Sequence, residues 1–281
     1  VLMVPPSLEF FALTFALLRA EMVPVFIDPG MGIKPLGRCL AESEPTGFIG
    51  SPKAHLARIL FGWEKGRAFK KLQAWGPKVF PGVKALDMKM AAADQNNLGQ
   101  TADSTQAAVL FTSGSTGIPK GAVYTHGNFN AQVECLKQTY GIKPGEVDLC
   151  TFPLFALFAP ALGMTAVIPQ MDFTKPAKVN PEKIYRAIQT FGVQNMFGSP
   201  ALLQRLSEIG TAGDSRLGSL KRVISAGAPV SPRLLQKMAE ILPSQAEVFT
   251  PYGATEALPV ASIGSKMILE ETAVKTATGA G

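Results

Sequence analysis

Residues 111–121, Phe-Thr-Ser-Gly-Ser-Thr-Gly-Ile-Pro-Lys-Gly, decide the fold that this sequence predicts. The apolar run 107–111 leads into them and predicts a short buried strand, and a helix is predicted from Asn128. Gly114 and Gly117 permit backbone geometry that a Cβ atom would prevent, and Lys120 adds a mobile positive charge. Hydroxyl groups come from Thr112, Ser113, Ser115 and Thr116. The physical interpretation is a loop that cradles a polyphosphate; the alternative is an ordinary turn of this composition.

The loop is not a Walker A motif. That motif requires G-x4-G-K-[ST], whereas here Pro119 precedes Lys120 and Gly121 follows it. The nucleotide-kinase and GTPase interpretations therefore lose their main support.

Length and composition describe a globular chain with a sizeable core. It has 281 residues, of which 47% are hydrophobic and 17% charged, and a formal net charge of +6. The basic residues are scattered, apart from a cluster that we interpret as a solvated face: Lys65, Arg67, Lys70 and Lys71. No aromatic-interleaved basic stripe accompanies them, so we predict no nucleic-acid partner.

Cysteine usage and hydropathy predict a cytoplasmic protein. Cys39, Cys135 and Cys150 lack C-x-x-C spacing, which favours reduced, buried thiols. With only His55 and His126 beside them, a zinc cluster is not predicted. The apolar run 152–168 is short for a membrane span and holds two prolines and a glycine, so we expect core and pocket wall, not a transmembrane segment.

The order of predicted elements indicates an α/β fold with mostly parallel strands flanked by helices. In the first part we predict strands over 1–4, 23–27 and 47–50, helices over 8–20, 36–42 and 52–61, surface loops over 62–82 and a linker over 91–105. In the second part we predict helices over 128–140, 182–191, 200–210 and from 232, and strands over 193–197, 220–225 and 247–250. The first strand, helix and strand are read as a βαβ unit. Ligands in such sheets bind at the carboxyl ends of the strands.

Two further loops follow predicted strands. Residues 225–229, Ser-Ala-Gly-Ala-Pro, are small and would let a flat ring lie against the backbone; ordinary turns also have this composition. In residues 252–256, Tyr-Gly-Ala-Thr-Glu, a tyrosine can stack on a base and a threonine can bond a phosphate oxygen. Glu256 can hold Mg²⁺, or it is simply a surface carboxylate.

Together these motifs resemble those of the adenylate-forming superfamily, which includes acyl-CoA synthetases, luciferases and peptide-synthetase adenylation domains. The resemblance rests on S-G-S-T-G-x-P-K-G followed by Thr125-His126, and on the loops 225–229 and 252–256 in the same order. It implies ATP-dependent, AMP-forming activation of a carboxylic acid, with ATP and Mg²⁺ required and CoA as one candidate acceptor.

The resemblance also implies a role for each residue. The phosphates of ATP would be bound by Thr112, Ser113, Gly114, Ser115, Thr116, Gly117 and Lys120. Adenine would be bound by Gly227, Ala228, Pro229, Tyr252 and Gly253. Thr255 would bond the α-phosphate and Glu256 would hold Mg²⁺, which makes Lys120, Thr255 and Glu256 the candidate catalytic residues.

The acyl side of the site is indicated by residues 152–158, Phe-Pro-Leu-Phe-Ala-Leu-Phe. Many acyl-CoA synthetases carry P-L-F-H here, with the histidine beside the carboxylate, but this chain has Ala156 instead. Beside it, a wall suited to a long alkyl chain would be formed by Phe155, Phe158, Leu162 and Met164. Plain core packing is the alternative for each of them.

The opening region narrows the resemblance. Residues 28–32 and 51–56, taken with 152–158, look like the olefin-biosynthesis branch, which resembles fatty acyl-CoA ligases but closes 2-alkyl-3-hydroxy acids to β-lactones through an adenylate. The implied partners are a long-chain carboxylic acid and enzymes of the same pathway. A protein of another class, a nucleotide-binding or assembly module without catalysis, remains the alternative.

The resemblance predicts a partial N-terminal AMP-binding domain over residues 1–281. We expect a first α/β subdomain and linker over 1–105, and a subdomain with the phosphate loop, acyl pocket and adenine loops over 106–281. The family's lysine-bearing C-terminal domain is expected beyond Gly281.

Overall fold

The computed structural model describes residues 1–63, 69–77, 79–86, 101–112 and 119–279. They form two compact units, Val1–Ala131 and Gln132–Gly281. The strand that begins at Gln106 packs in the first unit, because it pairs with a strand at Val25–Ile27. The boundary that we predict at residue 105 assigns this strand to the second subdomain, whereas in the structure it packs within the first unit.

The first unit contains two sheets. Its elements are β1 Leu2–Met3, α1 Leu8–Arg19, β2 Val25–Ile27, α2 Ile33–Glu42, β3 Gly47–Gly50, α3 Pro52–Leu60, β4 Lys70–Gln73, β5 Lys84–Ala85, β6 Gln106–Thr112 and β7 Lys120–Thr125, and α4 His126–Tyr140 crosses into the second unit. One sheet has the order β1-β3-β4-β5 and the other β2-β6-β7. All of their pairings are parallel except that of β6 with β7.

Two predictions for this unit are wrong. The βαβ unit does not form one sheet, because β1 pairs with β3, while β2 pairs with β6. The predicted surface loop 62–82 contains β4, whose Leu72 pairs with Ile49. β4 begins with Lys70 and Lys71. Because charged residues are depleted in strands, the sequence pattern does not indicate a strand here.

The second unit is built on a single sheet. Its elements are β8 Val147–Leu149, α5 Pro153–Ala156, α6 Phe158–Ala161, β9 Thr165–Val167, α7 Pro181–Phe191, β10 Asn195–Phe197, α8 Pro200–Ser207, β11 Arg222–Ile224, α9 Pro232–Ile241, β12 Glu247–Ala254, β13 Ala257–Gly264, α10 Ser265–Met267, a π-helical segment Ile268–Thr272 and α11 Ala273–Ala277. The strand order is β13-β12-β11-β10-β8-β9, with only β13 antiparallel to its neighbour. The predicted α/β class with mostly parallel strands is confirmed.

Helices of this unit begin where the sequence predicts. Ser199 and Ser231 accept hydrogen bonds from Leu202 N and Leu234 N, both at 3.3 Å, and a proline occupies the first helical turn each time. Such caps satisfy one of the amide groups that a helix start leaves unpaired. Asn180 begins α7 in the same way.

One face of this sheet carries the hydrophobic core. Leu149, Met196 and Val223 lie side by side on β8, β10 and β11, and each is at most 1% exposed. They belong to a cluster with buried residues of α7, α8 and α9. Because successive strand residues point to opposite faces, Asp148, Asn195 and Arg222 lie on the other face.

Candidate functional site

The predicted phosphate loop connects two antiparallel strands of the first unit. β6 and β7 pair in antiparallel fashion up to Thr112 opposite Lys120. The predicted ligands Ser113, Gly114, Ser115, Thr116 and Gly117 lie outside the described residues, and their roles stay predictions. Strand β7 was not predicted from the sequence.

The lysine of this loop lies at the start of β7. Lys120 is exposed, whereas the preceding Pro119 is buried. The next residue, Gly121, lies against Phe111, where a Cβ atom would approach the ring carbon at 3.1 Å. The end of the β6–β7 pair is therefore closely packed, and Lys120 is exposed beside it.

The Thr125-His126 pair begins helix α4. Thr125 Oγ1 accepts from Asn128 N at 3.2 Å, and Asn128 Oδ1 accepts from Thr125 N at 2.9 Å. This reciprocal arrangement is a capping box. We conclude that Thr125 has a structural role at the helix start.

In the second unit, the small-residue loop follows β11. Ser225 is 1% exposed, and its amide donates to Phe249 O at 2.8 Å. Gly227 has φ +91°, a conformation that favours glycine, and residues 227–229 are exposed. Gly227, Ala228 and Pro229 therefore present small groups and backbone to solvent.

The Tyr-Gly-Ala-Thr-Glu motif forms the end and turn of a β-hairpin. We predicted that the strand would end at Thr250, but β12 continues to Ala254 and returns as β13. Tyr252 is 73% exposed. At Gly253, a Cβ atom would approach Ala257 O at 2.6 Å, so a larger residue would disrupt the turn. Thr255 is half-buried and Glu256 is exposed.

The structure brings these two loops to one edge of the sheet. β11 and β12 are adjacent and parallel, with Ile224 opposite Phe249. β11 ends at this pair, whereas β12 continues to Ala254. Both loops therefore follow the carboxyl direction of these strands, which is the side where ligands bind in such sheets. Each loop is exposed, and the aromatic ring of Tyr252 can stack on a flat base.

A buried hydroxyl group adds to this fit. Among the described residues, Ser225 Oγ has no hydrogen-bond partner, although it is shielded from water. Buried polar groups normally have a partner. This hydroxyl belongs to the first residue of the small-residue loop 225–229, which is consistent with a ligand at this edge. Sequence reasoning did not assign it a role.

Glu256 is a single exposed carboxylate in the hairpin turn. In the part of the chain that the structure describes, no group of three or more His, Cys, Asp and Glu side chains could hold a metal ion. One carboxylate is nevertheless compatible with Mg²⁺, which protein sites often hold through one or two carboxylates and the phosphates of a substrate.

The predicted acyl wall lies on the connection between β8 and β9. The Phe155 ring packs 4.8 Å from that of Phe197 and 5.2 Å from that of Phe152. Phe158 is half-buried, and Ala156, Leu162 and Met164 are buried. The sequence analysis does not place Phe197, on β10, in the acyl wall, because the residues that it contacts are distant along the chain.

Charged groups gather at the opposite end of the same strands. Glu146 binds Arg222 Nη1 at 2.8 Å and Lys221 Nζ at 3.2 Å, and Asn195 Nδ2 donates to it at 3.0 Å. Burial alone would raise the pKa of Glu146, but these partners hold it below its usual value. Because these residues precede or begin their strands, we assign them a structural role away from the carboxyl edge.

The family of this chain follows from comparison with known proteins. The AMP-binding enzyme family model matches residues 1–280, and the chain belongs to that family. Olefin beta-lactone synthetase of Xanthomonas campestris pv. campestris is 46% identical to the chain over 282 residues, which are 100% of the chain and 50% of that protein. The resemblance to the adenylate-forming superfamily is thus confirmed. The chain spans about half the length of the curated relatives it matches.

Solved structures match the fold. The amide bond synthetase McbA from Marinactinospora thermotolerans superposes with a TM-score of 0.76 at 21% identity, covering 94% of this chain and 52% of that one. The N-terminal domain of FACL13 from Mycobacterium tuberculosis does so with a TM-score of 0.75 at 21% identity, covering 96% and 66%. The predicted large N-terminal domain fold is therefore confirmed. Among the described residues, no helix is both long and apolar enough to cross a bilayer.

Proposed function

We propose that the protein containing this chain activates a long-chain carboxylic acid with ATP and closes a hydroxy acid to a β-lactone. The acid carboxylate would attack the α-phosphate of ATP, pyrophosphate would leave, and an acyl-adenylate would form. The 3-hydroxyl oxygen of a 2-alkyl-3-hydroxy acid would then attack the acyl carbonyl, losing its proton as AMP leaves. Transfer to CoA is the competing fate of the adenylate.

One observation carries this proposal. The loops 225–229 and 252–256 lie at the carboxyl ends of two adjacent parallel strands, as a nucleotide site in an α/β sheet requires. Family membership along residues 1–280 supports the reaction type. The similarity to an olefin beta-lactone synthetase supports lactone closure as the second step.

The residues would act mainly by binding and by electrostatic stabilisation. Lys120 and the loop before it would offset negative charge on the β- and γ-phosphates, and Thr255 would donate to an α-phosphate oxygen. Glu256 would hold Mg²⁺, which neutralises phosphate charge and favours the departure of pyrophosphate. Adenine would lie on Tyr252 and Gly253, against Gly227, Ala228 and Pro229.

The acid would bind along the connection between β8 and β9. Phe155 and Phe158 offer partly exposed apolar surface, and the buried Leu162 and Met164 extend it. Ala156 stands where the resemblance to acyl-CoA synthetases implies a histidine, so its methyl group offers the carboxylate no such contact. We therefore assign the wall to the alkyl chain alone.

The test is carboxylate-dependent ATP–pyrophosphate exchange in the longest natural form of the protein. We expect exchange with a 2-alkyl-3-hydroxy acid and a β-lactone among the products. Lys120→Ala and Glu256→Gln should each lower exchange about 100-fold or more, since each removes charge stabilisation of the transition state. Lys137→Ala, at an exposed lysine of α4, is the matched control and should retain exchange.

Other outcomes would change the assignment. A thioester without lactone would favour the CoA ligase. No exchange with any acid, in a folded protein that still binds ATP, would favour the nucleotide-binding or assembly module.

A further inference from the structure

A carboxyl group and a thiol lie together on the face of the second unit's sheet that is opposite the hydrophobic core. Cys150 Sγ donates to Asp148 Oδ2 at 3.4 Å, and Cys150 is 2% exposed. Because residues two apart on a strand share a face, the hydrogen bond and the strand geometry agree. The function proposed above gives this pair no role.

The connection between β8 and β9 begins and ends on this same face. Asn195 is the register partner of Asp148 on β10, and its Nδ2 lies 3.4 Å from Met164 Sδ. Two residues further along β10, the Phe197 ring contacts Phe155. The segment from Phe155 to Met164, the proposed acyl wall, therefore runs over the face that holds the pair.

The nearby cations already have a different partner. Lys221 and Arg222 both bind Glu146, which lies two residues before Asp148. Among the described residues, the hydrogen bond recorded for the Asp148 side chain comes from the Cys150 thiol, a weak donor. Asp148 is half-buried, and partial removal from water raises the pKa of its carboxyl group, although the bond from Cys150 opposes the shift.

An acidic group without a cation is costly beside an apolar wall. If the wall bound only a hydrocarbon chain, an aliphatic residue at position 148 would bind that chain without the cost of removing a carboxyl group from water. A carboxyl group there can accept a hydrogen bond from a ligand hydroxyl or, when protonated, donate one. The chemistry therefore fits a ligand that is apolar along its length and carries a hydroxyl group.

We propose that the Asp148 carboxyl binds the hydroxyl group of the acid substrate and thereby selects hydroxy acids over plain fatty acids. This proposal rests on the proposed function, since it assumes that the acid lies along the segment 155–164. Asp148 is then a specificity-determining residue. The aromatic and aliphatic side chains of the wall bind both kinds of acid, and the carboxyl distinguishes them.

The test compares two acids of equal length in the longest natural form of the protein. One is a 2-alkyl-3-hydroxy acid and the other is the same 2-alkyl acid without the hydroxyl. We expect the wild type to prefer the hydroxy acid in kcat/KM for pyrophosphate exchange by about 10- to 100-fold, the effect of one buried hydrogen-bonding group left without its partner. Asp148→Ala should lower that ratio about tenfold or more, mainly by loss with the hydroxy acid.

Two further variants separate recognition from folding. Asp148→Asn keeps an acceptor and a donor, so it should restore the preference to within about threefold. Ser265→Ala removes another buried hydroxyl of this unit, 4% exposed and bonded to Val248 N, and should leave the ratio unchanged. Thermal melting establishes that each variant is folded.

A wild type that uses both acids equally would overturn the inference and leave the adenylation itself intact. So would an Asp148→Ala variant that loses activity with both acids in parallel, because that result indicates a structural role. Absence of exchange with either acid in the wild type would instead refute the proposed function.

Discussion

At the scale of single residues, Asp214 shows how one carboxylate organises a loop of the second unit. It accepts from Arg216 Nη2 at 2.7 Å and Nε at 2.9 Å, and from Arg216 N at 3.1 Å. The Arg216 guanidinium lies 4.2 Å from the centroid of the Tyr185 ring. Hydrogen bonding by Arg216 lowers the pKa of Asp214 to about 2, against the opposing effect of burial.

We expect Asp214→Asn to lower the free energy of unfolding by about 2 kcal/mol at pH 7. The unfolded carboxyl titrates near pH 4 and the folded one near 2, so the folded protein binds fewer protons between these values. The stabilisation is complete above pH 4 and is lost as the pH falls towards 2. Urea unfolding from pH 7 to pH 3 measures it, and the difference between variant and wild type should shrink with falling pH.

Glu240→Gln is the control for this experiment, because Glu240 is exposed and lies in the same region, where its carbonyl accepts from Gly213 N. It should change stability by less than about 0.5 kcal/mol at any pH. A pH-independent loss in Asp214→Asn would contradict the ionic interpretation.

At the scale of secondary-structure elements, we expect the cap of α8 to be worth about 1 kcal/mol. Ser199→Ala removes the acceptor for Leu202 N, while the buried Leu203 and Leu206 keep the helix docked. Ser207→Ala, in the last turn, removes only a bond to Gln204 O. Denaturant unfolding should show the larger loss for Ser199→Ala, and equal losses would contradict the capping role.

The hairpin of β12 and β13 supports a second prediction at this scale. Tyr252→Ala should weaken nucleotide binding about tenfold, the loss expected for one base–aromatic stack. It should leave the melting temperature unchanged, since the ring is 73% exposed. Val260→Ala, 62% exposed on the same hairpin, is the control for binding by calorimetry. Equal affinity in both variants would remove Tyr252 from the proposed site.

Sequence patterns predicted elements whose signals are local. Ser199-Pro200, Ser231-Pro232 and Asn180-Pro181 mark helix starts by the chemistry of the cap itself, and all three occur where expected. Sheet partners are not local, which is why the pairing of β1 with β3 and of β2 with β6 was missed. Strand β13 was missed because it contains Pro259, which is disfavoured in sheet interiors.

The candidate site shows the same contrast. Its motif residues could be selected from sequence because small, hydroxyl and glycine residues follow predicted strands in a recognisable order. Asp148 could not be selected, because one acid between Val147 and Leu149 is typical of an ordinary strand with one solvated face. Only the register with Asn195 and the path of the following segment place the half-buried Asp148 on the face that the proposed acyl wall covers.

At the scale of the whole molecule, the chain spans about half the length of the curated relatives that it matches. We expect residues 1–281 alone to bind Mg-ATP weakly, because the phosphate-loop and adenine motifs are present. Pyrophosphate exchange should be at least about 100-fold slower than in the longest natural form, since the resemblance places a required lysine in a further domain. Calorimetry and exchange assays measure the two properties.

Lys120→Ala in residues 1–281 is the matched control for the calorimetry and should weaken binding. Full exchange by residues 1–281 would contradict the need for a further domain. Undetectable binding would contradict the assignment of the nucleotide motifs to this chain.

The unequal exposure of the three cysteines has a practical consequence. Cys39 and Cys150 are buried, and burial raises the pKa of both thiols, whereas Cys135 is partly exposed on α4. A maleimide fluorophore should therefore label this chain at Cys135 without mutagenesis. Helix α4 follows directly from β7, which begins at Lys120. The dye would thus sit on the element joined to the phosphate loop, where its emission can be followed during a nucleotide titration.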